Sequence, residues 1–167
     1  MAALDVLAYP DERLKQAAAT VTDFGDALQA VVGDLHDTMY GASHCVGIAA
    51  TQAGIPLRVA LVDVSRRAGV ESHGRLVLVN PEILTWDGFE VGREGCFSVP
   101  DYTGNVIRAQ QVTARFQDEH GRERELALTG FEARAVQHEV DHLNGLLFLD
   151  RLVSHRNDLF RRKVYKK

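Results

Sequence analysis

Apolar residues recur at helical spacing over one early segment of the chain, residues 26–40. Spacings of three and four residues place them on one face of a helix, which is typical of a helix packed on a hydrophobic core. The pattern therefore predicts an amphipathic helix in this segment. Its apolar positions are Leu28, Val31, Val32, Leu35 and Met39.

Shorter apolar segments follow, and their composition indicates strands. Residues 57–64 and 76–79 are rich in branched side chains, as in strands buried on both faces. Residues 111–118 and 122–128 flank residues 119–121, which end on a glycine and suit a hairpin turn. Because strands and helices do not alternate regularly, the pattern predicts antiparallel pairing.

The sequence His138-Glu139-Val140-Asp141-His142 sets two imidazoles four residues apart with a carboxylate between them. On a helix the two histidines lie about 40° apart, and Glu139 lies about 100° from His138. Two imidazoles so placed can bind one metal ion while the carboxylate reaches a water on that ion. The motif favours a catalytic metal helix over a solvated helix face.

Signals for the two ends of a helix surround this motif. Thr129 and Glu132 have the spacing of a capping box, and Gly145 stands where a left-handed C-terminal cap is expected. Phe131 and Ala135 project on the same face as the two histidines, which predicts an apolar wall beside the metal.

The order of the segments predicts an α+β fold in a single domain, residues 1–167. We expect antiparallel β-sheets around a central metal-binding HExxH helix, with N-terminal and C-terminal helices. A net charge of −4 gives no overall attraction to nucleic acid or anionic membranes. We expect no signal peptide and no membrane span, and with only two cysteines we predict a cytoplasmic protein whose thiols can bind metal.

A catalytic site of this kind needs a third protein ligand. One class of metalloprotease places a third histidine where this chain has Phe148, and another uses a glutamate, but none follows Glu139. Asp150 and His155 are downstream alternatives without class signatures. Upstream, residues 94–98 (EGCFS) place the Cys96 thiol in a tight turn, and it is the best candidate. A cysteine with two histidines would suit Fe(II), Zn(II), Co(II) or Ni(II).

Three motifs together resemble the peptide deformylases, in that family's order and at similar spacing. They are residues 47–52 (GIAATQ), 94–98 (EGCFS) and 138–142 (HEVDH). The similarity covers nearly the whole chain, and the ordered trio is far more specific than any single motif. Members of the family remove the formyl group from the N-terminal methionine of newly made polypeptides and release formate.

The resemblance implies roles for individual residues. Cys96, His138 and His142 would bind the metal, which is Fe(II) in the cell and replaceable by Zn(II), Ni(II) or Co(II). Glu139 would be the acid and base. The oxyanion donors that the resemblance implies are the side chain of Gln52 and the backbone N–H of Phe97.

The resemblance also implies a set of substrate-binding residues: Gly47, Ile48, Glu94, Gly95, Phe131 and Ala135. Ile48, Phe131 and Ala135 are candidates for the methionine side-chain pocket. Glu94 is further expected to orient a ligand and to pair with Arg108.

Some positions depart from the family pattern. Cys45 stands where the first motif usually has glycine, and Phe97 where leucine is most common. Residues 101–104, which include Thr103, stand where many members present an arginine or an apolar residue to substrate. These positions bear on pocket shape and peptide preference. Only the N–H of Phe97 is needed for the oxyanion, so its chemistry is expected to survive.

The segment from Arg151 onward is basic, with one acid, Asp158. Its basic residues are Arg151, Arg156, Arg161, Arg162, Lys163, Lys166 and Lys167. The resemblance implies N-formylmethionyl nascent peptides as partners and docking of this segment on the ribosome, the alternative being a solvated tail. A monomer fits the size.

Two other hypotheses remain open at this point. One is another HExxH-type metallopeptidase, which Phe148 and the missing glutamate disfavour. The other is a non-catalytic metal-containing relative, which is disfavoured because a closed structural site needs a fourth ligand.

Overall fold

The computed structural model describes residues 3–162. Its two α-helices are α1, Asp26–Tyr40, and α2, Gly130–Leu143. Its strands are β1 Gly47–Ala49, β2 Val59–Val62, β3 Leu76–Cys96, β4 Val99–Gln117, β5 Glu123–Thr129 and β6 Leu159–Arg161. Short 3-10 turns occupy Glu12–Lys15, Ala50–Ala53, Val64–Arg66 and Phe148–Arg151.

The strands form one antiparallel sheet in the order β1–β2–β3–β4–β5, with β6 paired to β4. β3 and β4 make a long hairpin whose tight turn lies between Cys96 and Val99. β4 is long enough to serve two further neighbours, because Tyr102–Gly104 pairs with β6 and Gln111–Gln117 pairs with β5. The combination of antiparallel sheet and two helices confirms the predicted α+β class.

Helix α1 covers the segment predicted from the apolar stripe. Leu28, Val32, Leu35 and Met39 are buried, and they share a core cluster with residues of β1, β2 and the start of β3. The predicted strands at 57–64 and 76–79 correspond to β2 and to the beginning of β3. This core supports the face of the sheet that lies away from α2.

The predicted hairpin turn at 119–121 is confirmed between β4 and β5. The Asp118 Oδ1 accepts hydrogen bonds from the N–H groups of His120 and Arg122, and Gly121 adopts a φ of +82°. A positive φ is readily adopted only by glycine, which explains why this turn could be found from the sequence.

Helix α2 lies against the sheet with most of its residues buried. It is therefore the central helix that the pattern predicted, and it carries both histidines on consecutive turns. Its end matches the prediction, since Gly145 has a φ of +81°. Charged groups on so buried a helix require partners inside the protein.

The predicted capping box is wrong. The Thr129 side chain makes no capping hydrogen bond. Glu132 instead accepts a hydrogen bond from the N–H of His73 at 2.7 Å, and its carboxylate lies 2.6 Å from the His73 Nδ1. The carboxylate is buried, so a partner on the neighbouring loop satisfies it in place of the helix terminus.

The predicted C-terminal helix is also wrong within the described residues. After α2 the chain forms the 3-10 turn Phe148–Arg151 and then β6, which extends the sheet beside β4. Leu147 and Phe148 bury their side chains in the turn, leaving no apolar stripe of helical period to support a helix. No helix in residues 3–162 is long and apolar enough to cross a membrane.

Candidate active site

Cys96, His138 and His142 meet at the floor of a cavity between α2 and the β3–β4 turn. The Cys96 Sγ lies 3.2 Å from the His142 Nε2, which lies 3.2 Å from the His138 Nε2. One ligand atom from each residue falls within 4.8 Å of the other two. The sheet thus brings the thiol to the histidine pair across more than forty residues of sequence.

The donor atoms fit a single metal ion. Ligands bound at about 2.0–2.3 Å in tetrahedral geometry lie about 3.3–3.5 Å from each other. Burial and the neighbouring His138 lower the pKa of His142, which keeps a lone pair available. Burial opposes a proton on His138, but hydrogen bonds to Cys96 and Glu94 outweigh it and raise its pKa. A metal ion would compete with that proton.

The downstream alternatives for a third ligand lie elsewhere. Asp150 accepts a hydrogen bond from the N–H of Leu147 at 2.9 Å and pairs with Lys15. Among the described residues, the metal-ligating cluster contains neither Asp150 nor His155.

Glu139 is buried beside the cluster. Its Oε1 has no hydrogen-bond partner within the part of the chain that the structure describes. Burial, the largest influence, raises the pKa of Glu139 to about 7. Gly47 makes room for this carboxylate, because a Cβ at position 47 would lie 2.5 Å from the Glu139 Oε2. The carboxyl group is thus suited to exchange protons near neutral pH.

Gln52 lies in the 3-10 turn after β1, and its amide is fixed by three contacts. Its Oε1 accepts a hydrogen bond from the Ala49 N–H at 2.9 Å. Its Nε2 donates to the Ser98 Oγ at 3.1 Å and lies 3.6 Å from the Cys96 Sγ. The NH₂ group therefore points towards the turn that contains Phe97, which is the side needed for an oxyanion donor.

One extended segment connects the two loops that carry these donors. The Leu7 N–H donates to the Gln52 carbonyl and the Tyr9 N–H donates to the Ser98 carbonyl, each at 2.7 Å. These two hydrogen bonds fix the position of the 3-10 turn after β1 relative to the β3–β4 turn.

Glu94 holds one of the histidines from behind. Its Oε1 lies 2.9 Å from the His138 Nδ1. Arg108 donates one hydrogen bond to each carboxylate oxygen, from Nε to Oε2 at 2.9 Å and from Nη2 to Oε1 at 3.0 Å. Burial opposes ionisation, but hydrogen bonds from His138 and Arg108 prevail and lower the pKa of Glu94. The predicted pair with Arg108 is confirmed. Both carboxylate oxygens are thus occupied, and the side chain of Glu94 is placed to orient the His138 ring.

Arg134 belongs to the site although it was not among the predicted residues. Its Nη1 donates to the Glu94 Oε2 at 2.7 Å and to the Val106 carbonyl at 3.1 Å. A signal for it exists in the sequence, because Arg134 precedes His138 by four residues and so lies on the same helix face. The network continues to Asp141, which pairs with Arg108 and with a further arginine on the surface.

A cavity of about 590 Å³ opens over the cluster. It is lined by five of the predicted substrate-binding residues, Gly47, Glu94, Gly95, Phe131 and Ala135. Four arginines that were not assigned to the site also line it, the buried Arg134 and the exposed Arg67, Arg93 and Arg162. Thr103, one of the family departures, faces the same space.

The structure does not bring Ile48 to this cavity, and its assignment to the methionine pocket is corrected. Successive side chains of a strand point to opposite faces. Gly47 faces Glu139, so Ile48 points away and is fully buried in the core beside α1.

Cys45 lines the cavity as a second thiol. Its Sγ lies 3.3 Å from the Gly47 carbonyl, to which it can donate. Burial raises the pKa of Cys45 to about 11, so the group remains a neutral thiol at physiological pH.

Comparison with known proteins adds independent evidence. The sequence model described as polypeptide deformylase matches residues 3–158. A peptide deformylase of Syntrophobacter fumaroxidans is 43% identical over 167 residues, which span all of this chain and 96% of that protein.

Solved structures give the same picture. A class I type b peptide deformylase from Acinetobacter baumannii, bound to Met-Ala-Ser, is 39% identical with a TM-score of 0.83, covering 90% of this chain and 98% of that one. A peptide deformylase from Synechococcus elongatus, in complex with actinonin, is 36% identical with a TM-score of 0.84, covering 92% of this chain and 80% of that one.

Proposed function

Because this chain belongs to the peptide deformylase family, we propose that it removes the N-terminal formyl group from formyl-methionyl polypeptides and releases formate. The observation that carries the proposal is the convergence of Cys96, His138 and His142 beside the buried carboxylate of Glu139. The two alternatives, another metallopeptidase and a non-catalytic relative, are not favoured by the family match.

Cys96, His138 and His142 would hold the metal. One thiolate and two imidazoles suit Fe(II), Zn(II), Ni(II) or Co(II), and we propose Fe(II) as the metal in the cell. When bound, the ion supplies Lewis acidity and lowers the pKa of water at the site to about 7. Glu94 fixes the His138 ring through Nδ1, which leaves Nε2 directed at the other ligands.

The remaining steps belong to protein side chains. Glu139 accepts a proton from the attacking water and later delivers it to the nitrogen of the departing amine. The Gln52 amide and the Phe97 N–H stabilise the negative charge that gathers on the formyl oxygen. Losing one such donor typically costs about 100- to 1,000-fold in rate.

The cavity walls suit a peptide that begins with methionine. Phe131 and Ala135 supply apolar surface for its side chain, and Gly95 lets an extended backbone approach β3. The Acinetobacter baumannii relative, bound to Met-Ala-Ser, supports this proposal because that peptide begins with methionine.

We also propose a single catalytic domain over residues 1–167, acting as a cytoplasmic monomer. Docking on the ribosome would use the exposed Arg156 and Arg161, because Arg151 pairs with Asp141. The lysines of the basic segment lie beyond residue 162, outside the described residues.

Protein purified without air and loaded with Fe(II) provides the test. Matched formyl-Met and acetyl-Met peptides are incubated with it while formate and free amine are measured. Formate and free amine from the formyl peptide alone are expected. Cleavage of internal amide bonds, or no turnover with metal stoichiometrically bound, would contradict the proposed function.

A further inference from the structure

Three guanidinium groups stand at the edge of the substrate cavity. Arg67 follows the 3-10 turn after β2, Arg93 lies on β3 beside Glu94, and Arg162 follows β6. All three are exposed. They come from separate parts of the chain, yet each lines the cavity that contains Glu139.

Contacts with aromatic rings hold two of these groups in place. The Arg67 guanidinium lies over the Phe131 ring at 4.5 Å, and that of Arg93 lies over the Phe160 ring at 3.8 Å. The Arg93 Nε also donates to the Asn105 Oδ1 at 3.1 Å. Such contacts order a guanidinium without neutralising its charge.

Arg162 is held by the backbone. Its Nη2 donates, at 3.5 Å, to the carbonyls of Val99 and Tyr102, and it lies against Gly95. β6 pairs with β4 and so brings this arginine to the cavity. The strand β6, which stands in place of the predicted C-terminal helix, thus adds an arginine to the cavity wall.

The three positive charges are not balanced by acidic side chains. Within residues 3–162, no carboxylate forms an ion pair with Arg67, Arg93 or Arg162. The two carboxylates of the cavity wall, Glu94 and Glu139, are buried, and Glu94 is already shared by other partners. The cavity edge is therefore a region of positive potential.

We propose that this arginine edge makes the enzyme select formyl-methionyl peptides with an acidic side chain at the second, third or fourth position. The inference rests on the proposed function. An extended peptide advances about 3.3 Å per residue, so a chain whose formyl group is at Glu139 carries these positions outward to the cavity edge. Carboxylates are the groups that guanidinium recognises best.

Solvent exposure limits the size of the effect. An exposed ion pair changes an equilibrium by about 1.5- to 5-fold, and salt weakens it. With more than one arginine within reach, we expect kcat/KM to be about three- to tenfold higher for an aspartate peptide than for the matched asparagine peptide.

The test uses C-terminally amidated peptides of the form formyl-Met-Xaa-Xaa-Xaa, with Asp, Asn or Lys at one position and Ala elsewhere. The Fe(II)-loaded protein should show the order Asp, then Asn, then Lys at one or more positions, with the differences shrinking in 0.5 M NaCl. An Asp/Asn ratio of one or less at all positions overturns the inference. The same peptides with a free C-terminal carboxylate show whether only that terminal group is recognised. A preference for the terminal carboxylate alone, and not for an acidic side chain, also overturns the inference.

Variants locate the source of the selectivity. The triple variant Arg67→Gln, Arg93→Gln, Arg162→Gln should bring the Asp/Asn ratio close to one. Arg124→Gln is the matched control, because that exposed arginine of β5 lies over the Phe116 ring of β4 and does not line the cavity, so the ratio should persist. An unchanged ratio in the triple variant overturns the inference. The single variant Arg93→Gln, with a smaller expected reduction, serves if the triple variant does not fold.

The two proposals fail in different ways. Turnover of the asparagine peptides measures the deformylase activity itself, whereas the Asp/Asn ratio measures the selectivity. Formate release from all peptides at equal rates would support the proposed deformylase function and contradict the selectivity for acidic peptides.

Discussion

Glu139 combines two properties that rarely occur together in a protein interior. It is almost completely buried, and one of its carboxylate oxygens has no partner among the described residues. Burying a polar group without a hydrogen bond costs about 1–3 kcal/mol, so a residue with only a structural role would be expected to find a partner. Its position beside the metal ligands accounts for the exception.

Replacing Glu139 with glutamine keeps the shape and removes the acid and base. We expect kcat/KM for a formyl-Met peptide to fall by about 100- to 10,000-fold, since proton transfer by a positioned side chain contributes on this scale. Metal content should stay at that of the wild type. Glu123→Gln, an exposed change on β5, is the control. Activity within a few fold of wild type in Glu139→Gln would contradict the assignment.

At the scale of residues, the sequence predicted side chains that come together within one helix, but not contacts between residues far apart in the chain. The spacing of His138 and His142 is a property of one helix, so the pair follows from the sequence. The joining of Cys96 to that pair depends on the β3–β4 hairpin, so the residues alone made it the best of several candidates for the third ligand, and the family resemblance then gave it that role. The burial of Ile48 depends on which face of β1 meets α1, which no local pattern records.

At the scale of elements, β3, β4 and α2 are linked by ion pairs around Glu94. The carboxylate binds Arg108 of β4 together with His138 and Arg134 of α2. Removing one partner of a buried ion pair leaves an uncompensated charge and typically costs about 3–5 kcal/mol. The network thus contributes to stability as well as to the orientation of a ligand.

Glu94→Gln tests the network. We expect metal affinity to fall by about 10- to 100-fold, because the His138 ring loses its ionised partner, and the free energy of unfolding to fall by a few kcal/mol. Metal titration and urea unfolding measure the two effects. Glu82→Gln is the matched control, because Glu82 lies on the same strand as Glu94 and forms an exposed ion pair with Arg115 of β4. That change should lower the free energy of unfolding by less than about 1 kcal/mol. Equal effects of the two changes would contradict the orienting role.

Tyr40 connects the end of α1 to the segment after β2 through a hydrogen bond to Asp63. Burial, followed by that bond, raises the pKa of Tyr40 to about 12 from an ordinary value of 10. The neutral form is therefore favoured in the folded state. Its stabilisation is complete below pH 10 and is lost as the pH rises from 10 to 12.

The difference in unfolding free energy between wild type and Tyr40→Phe isolates this effect from other titrations. It should shrink by about 1 kcal/mol between pH 9 and pH 11.5, a figure reduced for solvent screening because Tyr40 is only partly buried. Urea unfolding at each pH supplies the values. A difference that stays constant would show that the tyrosine titrates normally.

The pattern of apolar residues predicted the elements that bury a continuous apolar set and missed those defined by strand pairing alone. α1 and the start of β3 bury continuous apolar sets, and both were found. The middle of β3 has exposed residues such as Trp86 and Phe89 and therefore lacks the alternation of a half-buried strand. β6 has only three residues, and its hydrogen bonds to β4 decide its conformation.

At the scale of the whole molecule, a bound metal would join the sheet to the central helix. Cys96 ends β3, and the two histidines belong to α2, so one ion would connect elements far apart in sequence. A ligand that binds only the folded state stabilises it by mass action, by about 2.7 kcal/mol when present at one hundred times its dissociation constant.

Chelation should therefore lower the melting temperature. For a chain of this length we expect a fall of about 5–10 °C, restored by adding Fe(II), Ni(II) or Co(II) without air. Differential scanning calorimetry with and without chelator gives the comparison. Cys96→Ala should melt at the same temperature in both conditions, and full metal loading of that variant would contradict the ligand assignment.

Two backbone hydrogen bonds, from Leu7 to Gln52 and from Tyr9 to Ser98, secure both oxyanion loops to a segment on the outside of the protein. Detaching such a segment costs less than melting the core, because its apolar residues Leu4, Val6 and Leu7 are only partly buried against the core. Warming should therefore produce molecules whose circular dichroism is still native while their turnover has ceased. The enzyme would lose its activity before it unfolds, and its working temperature would be limited by the attachment of the segment around Leu7 and Tyr9.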